Sequence, residues 1–107
     1  MSKLLQKPRR SAYIAVTFRI LQENSHYVSI CPELETSSCG DTIDEALKNI
    51  RDATLLYLNT IEEQGERERI FKERGIKLYP VTPRPKKIGI KAKFDEVVSP
   101  SILPISA

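Results

Sequence analysis

A repeating pattern of apolar residues between positions 43 and 61 constrains the fold of this chain more than any other feature. The pattern recurs every three or four residues, which is the period of an α-helix with one buried face. Thr42 precedes the pattern and Glu45 lies three residues after Thr42, which is the capping-box spacing. Gly65 follows the pattern and favours the end of a helix. The segment therefore predicts one long amphipathic helix, whose buried stripe is Ile43, Ala46, Leu47, Ile50, Ala53, Thr54, Tyr57, Leu58 and Ile61.

The segments before this helix alternate between apolar and polar residues, which is the period of β-strands. Residues 12–22 form the first alternating segment, and residues 27–31 form the second after a short polar stretch. The short connection predicts a β-hairpin. Residues 35–39 form a short segment that is rich in small residues tolerated in strands, and they predict a weak third strand.

The segments after the helix are shorter. Residues 66–74 favour a second, short helix, and the three prolines between positions 80 and 85 predict an extended connector. Residues 88–94 alternate again and predict a late strand with one solvated face. Residues 95–107 contain two prolines and no helical stripe, so we expect an irregular tail there.

These elements predict an α+β fold in the order β-β-β-α-β, with the long helix packed on one face of a small, mainly antiparallel sheet. We assign the domain to residues 12–94, with its core at 13–64, between a basic arm at 1–11 and the tail at 95–107. If the late strand ran parallel beside the first strand, the long helix would be the crossover between them.

Acidic residues at the start of the long helix raise the question of a catalytic or metal site. The candidates are Asp41, Asp44 and Glu45. Metal-assisted phosphoryl chemistry needs carboxylates from several elements, and neither the first nor the late predicted strand contains an acidic residue. A lone glycine before a helix is no phosphate-binding loop, and the single histidine has no evident catalytic partners. We therefore predict a protein that is not an enzyme, with no catalytic, metal or cofactor site.

No apolar run approaches the roughly 20 residues of a membrane-spanning helix. The first ten residues contain only two adjacent leucines, too few for the apolar core of a signal peptide. We therefore expect a cytoplasmic protein. Its two cysteines, Cys31 and Cys39, are expected to be reduced thiols on neighbouring strands, with a disulfide or redox role as the alternative.

The net charge of +3 is unevenly distributed along the chain. Residues 23–68 carry a net charge of −8, residues 69–93 carry +8 and residues 1–22 carry +5. Such asymmetry favours a charged partner, and a solvated helix face with basic linkers explains it equally well. We expect the basic runs 7–10 and 84–87 to be solvated linkers, with contact to nucleic acid as the less favoured alternative.

In order and spacing, the motifs of residues 27–58 resemble the HicB-like family, the antitoxin half of HicBA toxin–antitoxin pairs. With the first strand included, the resemblance covers residues 13–64, about half of the chain. A helical Asn49 also fits the family. The residues that carry the resemblance are Tyr27, Pro32-Glu33-Leu34, Gly40-Asp41-Thr42 and Asp44-Glu45-Ala46.

The resemblance implies a truncated ribonuclease H fold without nuclease carboxylates. It also implies that the chain binds and masks a small basic HicA-type ribonuclease toxin through an acidic surface, for which Glu33, Glu35 and Asp41 are the candidate residues. Many family members have a C-terminal DNA-binding motif, for which this chain leaves no room after Gly75.

The alternative function is that of a stand-alone homo-oligomeric protein with a regulatory or scaffolding role and no toxin partner. Leu55 and Leu56 lie outside the buried stripe of the long helix. They are either tolerated surface residues or a subunit contact, and the second interpretation is the one we favour.

Overall fold

The long alternating segment at the start of the domain forms the strand on which the rest of the sheet is built. The computed structural model describes residues 11–80 and 96–106. In these residues four strands form one antiparallel sheet in the order β3-β2-β1-β4, accompanied by two helices, which confirms the α+β class. The elements are β1 Ser11–Glu23, β2 His26–Cys31, β3 Thr36–Gly40, α1 Ile43–Glu63, α2 Arg67–Arg74 and β4 Glu96–Ser106.

The predicted hairpin between the first two strands is confirmed. A two-residue turn joins β1 to β2, and Glu23 pairs with His26 directly across it. Asn24 adopts φ 56°, which asparagine tolerates better than most residues and which two-residue hairpins require.

Helix α1 follows the predicted stripe closely. Thr42 is its N-cap, and the Thr42 hydroxyl accepts the backbone N–H of Glu45 at 3.1 Å. The reciprocal bond of a capping box, from the Thr42 amide to the Glu45 carboxylate, is not formed, and the Glu45 side chain is exposed to solvent. The buried face packs on β3 and β2 and consists of Ala46, Ile50, Thr54, Leu58 and Ile61.

The second helix is also confirmed. Gly75 ends α2 with φ 66°, a left-handed conformation that glycine adopts without strain. Phe71 is the buried residue of α2 and joins the core between the sheet and α1. That core consists of Ile14, Val16, Phe18, Cys31, Leu34, Ile50, Leu58, Ile61, Phe71 and Leu103.

The expectation of an irregular tail over residues 95–107 is wrong. Strand β4 pairs with β1 along the whole length of β4, from Glu96 opposite Leu21 to Ser106 opposite Ser11. Leu103 is completely buried, so this strand contributes to the core. Because β4 runs antiparallel to β1, α1 is not a crossover between this pair of strands.

Two prolines fit into β4 because of where they lie. Pro100 and Pro104 pair with Thr17 and Tyr13 of β1. Both β1 residues donate their backbone N–H on the side away from β4, Thr17 to a carboxylate oxygen at 3.0 Å and Tyr13 to a carbonyl oxygen at 2.8 Å. At both prolines the backbone nitrogen of β4 therefore points away from β1, where the ladder between the two strands needs no N–H. Edge strands tolerate proline at such positions.

The two cysteines are both free, and they lie on opposite faces of the sheet. Cys31 is buried in the core, whereas Cys39 is exposed. Cys39 pairs with Val28, so the cysteines are offset by three residues along their strands. At ~3.3 Å per residue this offset exceeds the Cα separation that a disulfide can bridge.

Residues 1–10 of the predicted basic arm and the late strand predicted at 88–94 lie outside the described residues, whereas Ser11, the last residue of that arm, begins β1. The helices that the structure does describe include none that is long and apolar enough to cross a membrane.

Candidate partner-binding surface

The junction between β3 and α1 depends on the absence of a side chain at Gly40. A Cβ built at this position would lie 2.6 Å from the backbone nitrogen of Ala46 and 2.9 Å from the carbonyl carbon of Glu45. Real Cβ atoms essentially never approach backbone so closely. The first turn of α1 therefore packs directly on the end of β3, and this contact fixes the direction in which the residues of the turn face.

Two hydrogen bonds then fasten α1 to β3 along its length. The amide nitrogen of Asn49 donates to the backbone carbonyl oxygen of Cys39 at 2.7 Å. The hydroxyl oxygens of Thr36 and Thr54 lie 2.8 Å apart, and Thr54 is fully buried. The helix and the edge strand consequently form one rigid unit.

Glu33, a predicted partner-binding residue, has a role inside the fold. One of its carboxylate oxygens accepts the backbone N–H of Thr17 at 3.0 Å and lies 3.8 Å from the thiol sulfur of Cys31. Strand β2 ends at Cys31, so no residue of β2 pairs with Thr17. The Glu33 carboxylate takes the place of that missing strand partner, which makes it a structural acceptor.

Glu35, the second predicted residue, is held by α2. Its carboxylate forms an ion pair with Arg74 at 3.1 Å, and Arg74 also donates to the backbone carbonyl of Glu33 at 3.4 Å. The Glu35 side chain nevertheless remains 74% exposed. It can meet a partner, but part of its charge is already compensated.

Asp41, the third predicted residue, lies at the opposite end of β3. Asp41 is six positions along the chain from Glu35, which corresponds to ~20 Å of extended chain at ~3.3 Å per residue. The structure therefore does not bring the three predicted residues together. It leaves Glu33 and Glu35 at one end of β3 and Asp41 at the other.

Three exposed carboxylates without an ion-pair partner among the described residues lie together at the start of α1, whereas others, such as Glu23 and Asp52, lie singly elsewhere. Asp41, Asp44 and Glu45 are all exposed at the start of α1, and none of them pairs with a basic side chain in the described part of the chain. The positive end of the α1 dipole stabilises negative charge at this position. We call these three residues the acidic junction.

Three other acids of the segment 23–68, Glu35, Glu62 and Glu66, form ion pairs with arginines of α2. Arg67 lies 3.7 Å from Glu62, and Arg69 contacts both Glu66 and Glu73. The sequence contained a signal for this difference, because the alternating charges of α2 supply partners at helical spacing. Sequence reasoning assigned Asp44 and Glu45 only to the helix start and missed them as part of a surface.

No three side chains among His, Cys, Asp and Glu in residues 11–80 and 96–106 converge to hold a metal ion. A shallow, open depression beside the α1–α2 connection is lined by Glu62, Gly65, Arg67 and Glu68. The charges around it are mixed and already include an ion pair between Glu62 and Arg67.

The two leucines outside the helical stripe have different positions. Leu55 is half-buried and packs against the core, so its side chain is largely used within the fold. Leu56 is 68% exposed on the outer face of α1. Of these two leucines, Leu56 is therefore the one available for a contact with another protein.

Comparison of the chain with protein-family models, with curated proteins and with solved structures gives no match.

Proposed function

We propose that this chain is a HicB-like binding module that captures a small basic protein, of the HicA ribonuclease-toxin type, through the acidic junction. The role is binding, without a catalytic step of its own. We place it in the cytoplasm, where free thiols such as those of Cys31 and Cys39 stay reduced.

The observation that carries the proposal is the exposure of three carboxylates that lack an ion-pair partner among the described residues. Asp41, Asp44 and Glu45 project from one rigid corner of the fold. Charged groups at the rim of an interface steer a partner of opposite charge and increase the rate of association. A basic protein is the partner that this corner favours.

The motifs behind the family resemblance support the proposal in a second way. Gly40, Thr42 and Asn49 build the corner, since they permit close packing, cap α1 and fasten it to β3. The residues that carry the resemblance to the HicB-like family would therefore be the ones that hold the acidic junction in place in this chain.

A charge reversal at the acidic junction tests the proposal. Asp41→Lys turns an exposed attraction into a repulsion, and exposed pairs of this kind are worth up to ~1 kcal/mol each, so we expect affinity to fall about tenfold. Calorimetric titration with the small basic protein encoded by the neighbouring gene gives the dissociation constant. The affinity of the unaltered chain should also fall as the salt concentration rises.

The matched control is Glu63→Lys, which makes the same charge change at the far end of α1. Equal affinities for the unaltered chain and both variants would show that the acidic junction is not part of the interface. A neighbouring gene that encodes no basic protein would argue against the toxin-binding role itself.

Exposed Leu56 favours the second candidate, a homo-oligomer with a regulatory or scaffolding role. If α1 of one copy packs on another through this residue, Leu56→Glu will convert the oligomer to a monomer, because burying a carboxylate without a partner is costly. Light scattering coupled to size exclusion gives the mass, with Asn59→Glu as the control on the same exposed face. An unchanged mass for Leu56→Glu would exclude this contact.

A further inference from the structure

The two outer strands of the described sheet, β3 and β4, differ in the residues along their outer edges. β4 carries Pro100 and Pro104 at outward-facing positions, so a strand approaching β4 finds no N–H donor at either. Proteins use prolines and charged residues in this way to block pairing with other chains. β3, with the sequence TSSCG, has neither a proline nor a charged residue.

The direction of the backbone groups in β3 follows from the register of the sheet, because they alternate along each strand. Thr17 directs its N–H toward the β2 side of β1, so Arg19 does the same and bonds with its partner Ile30. The preceding residue of β2, Ser29, then faces β3 and bonds with its partner Ser38.

Ser37 and Cys39 therefore direct their backbone groups away from the sheet. The bond from Asn49 to the Cys39 carbonyl at 2.7 Å agrees with this direction, since it reaches that carbonyl from outside the β2–β3 ladder. No strand among the described residues pairs with this edge. The N–H groups of Ser37 and Cys39 and the carbonyl of Ser37 are thus directed outward for a further strand.

The edge is also held in a fixed conformation before any partner arrives. The bonds from Asn49 to Cys39 and between Thr36 and Thr54 fasten it to α1. A preformed edge lowers the entropic cost of adding a strand, and strand addition is a common way to bind an extended peptide.

We propose that the outer edge of β3 is a docking site for an extended, basic segment of a partner protein, which joins the sheet as a fifth strand. This inference rests on the proposed function, because the partner's charge is chosen by complementarity. The acidic junction lies at one end of the edge and exposed Glu35 lies at the other. Basic residues at the ends of the docked segment meet both, whereas a second copy of β3 would bring acids against acids.

The experiment uses the isotope-labelled chain and a synthetic peptide in which threonine and valine alternate between terminal lysines. We expect nuclear magnetic resonance shifts at the amides of Ser37 and Cys39, and slower hydrogen exchange there. Methylation of two edge-facing peptide nitrogens removes two backbone hydrogen bonds and should weaken binding about thirtyfold without changing the charge. Exchanging the terminal lysines for glutamates should weaken it about tenfold.

Ser37→Pro tests the same hydrogen bonds from the side of the protein, since it removes one outward N–H as the prolines of β4 do. Ser37→Ala is the control that keeps the N–H. Binding should weaken about fivefold for Ser37→Pro and stay unchanged for Ser37→Ala. The methylated peptide keeps the test decisive if the proline variant fails to fold.

Two results would overturn the proposal. Equal binding of the methylated and unmethylated peptides would mean attraction by charge alone, which leaves the proposed function intact but removes the docking edge. Protection of the Ser37 and Cys39 amides that grows with protein concentration in the absence of peptide would mean that a second copy occupies the edge. Peptide docking without capture of the neighbouring basic protein would keep the edge and reject the toxin-type partner.

Discussion

At Gly40 the backbone of β3 and the first turn of α1 come so close that no side chain fits between them. The sequence shows a glycine before a helix, which is a common arrangement with several explanations. Only the distance to the backbone of Ala46, 2.6 Å from a hypothetical Cβ, identifies the reason. Gly40 is needed for packing, because its lack of a side chain lets the first turn of α1, which carries Asp44 and Glu45 of the acidic junction, lie against the end of β3.

Gly40→Ala should destabilise the fold by about 2 kcal/mol, because the added methyl group meets backbone that cannot yield without moving α1. Urea unfolding followed by circular dichroism measures the change. Gly65→Ala is the comparison: its Cβ would meet nothing within 4 Å, but φ is 69°, so we expect about 1 kcal/mol of conformational strain alone. A smaller loss for Gly40→Ala than for Gly65→Ala would contradict the packing explanation.

The buried thiol of Cys31 makes stability depend on alkaline pH. Burial raises its pKa from 9.0 to about 11, and the negative charge of the neighbouring Glu33 adds to the rise. The folded state thus favours the protonated thiol. This contribution to stability is complete below the unfolded pKa of 9.0 and is lost as the pH rises toward about 11.

Urea unfolding midpoints measured from below pH 9.0 up to about pH 11 should show this loss. Cys31→Ala removes the thiol and should flatten that part of the profile, whereas Cys39→Ala, which changes an exposed thiol, should keep it. Identical profiles for the two variants would show that Cys31 does not cause the dependence.

At the scale of elements, periodicity predicted what local pattern can determine. The hairpin, α1 and α2 were all predicted within a few residues of their observed bounds, because each carries its own turn chemistry, stripe or stop. Strand β4 was missed. Its prolines suggest irregular chain unless the neighbouring strand is known, and only the pairing with Thr17 and Tyr13 shows that they face outward.

Leu103→Ala tests whether the C-terminal segment belongs to the core. Leu103 is fully buried opposite Ile14, so we expect a loss of about 3 kcal/mol in the free energy of unfolding. Ile102→Ala, which truncates the half-buried neighbour on the opposite face, should cost less. Chemical denaturation measures both losses. A negligible loss for Leu103→Ala would support the interpretation of this segment as an irregular tail.

At the scale of the whole molecule, the tertiary structure redistributes the charge that the sequence presents as a block. The segment 23–68 carries −8, yet α2 folds back and pairs its arginines with several of those acids. Three of the acids that stay without an ion-pair partner among the described residues form the acidic junction, beside an edge strand that is open in the same part of the chain. Two of the three predicted partner-binding residues, Glu33 and Glu35, are wholly or partly used by the fold.

The sequence by itself determined the α+β class, the order of the first five described elements and the cap at Thr42, because hydrophobic period and capping chemistry act between residues close in the chain. Contacts between distant residues decided the rest. The Glu33 carboxylate meets Thr17 across 16 positions, and Arg19 meets Glu96 across 77. Such contacts form only after the strands have paired in one register. The same pairing sets the positions of β4, the outer edge of β3 and the acidic junction.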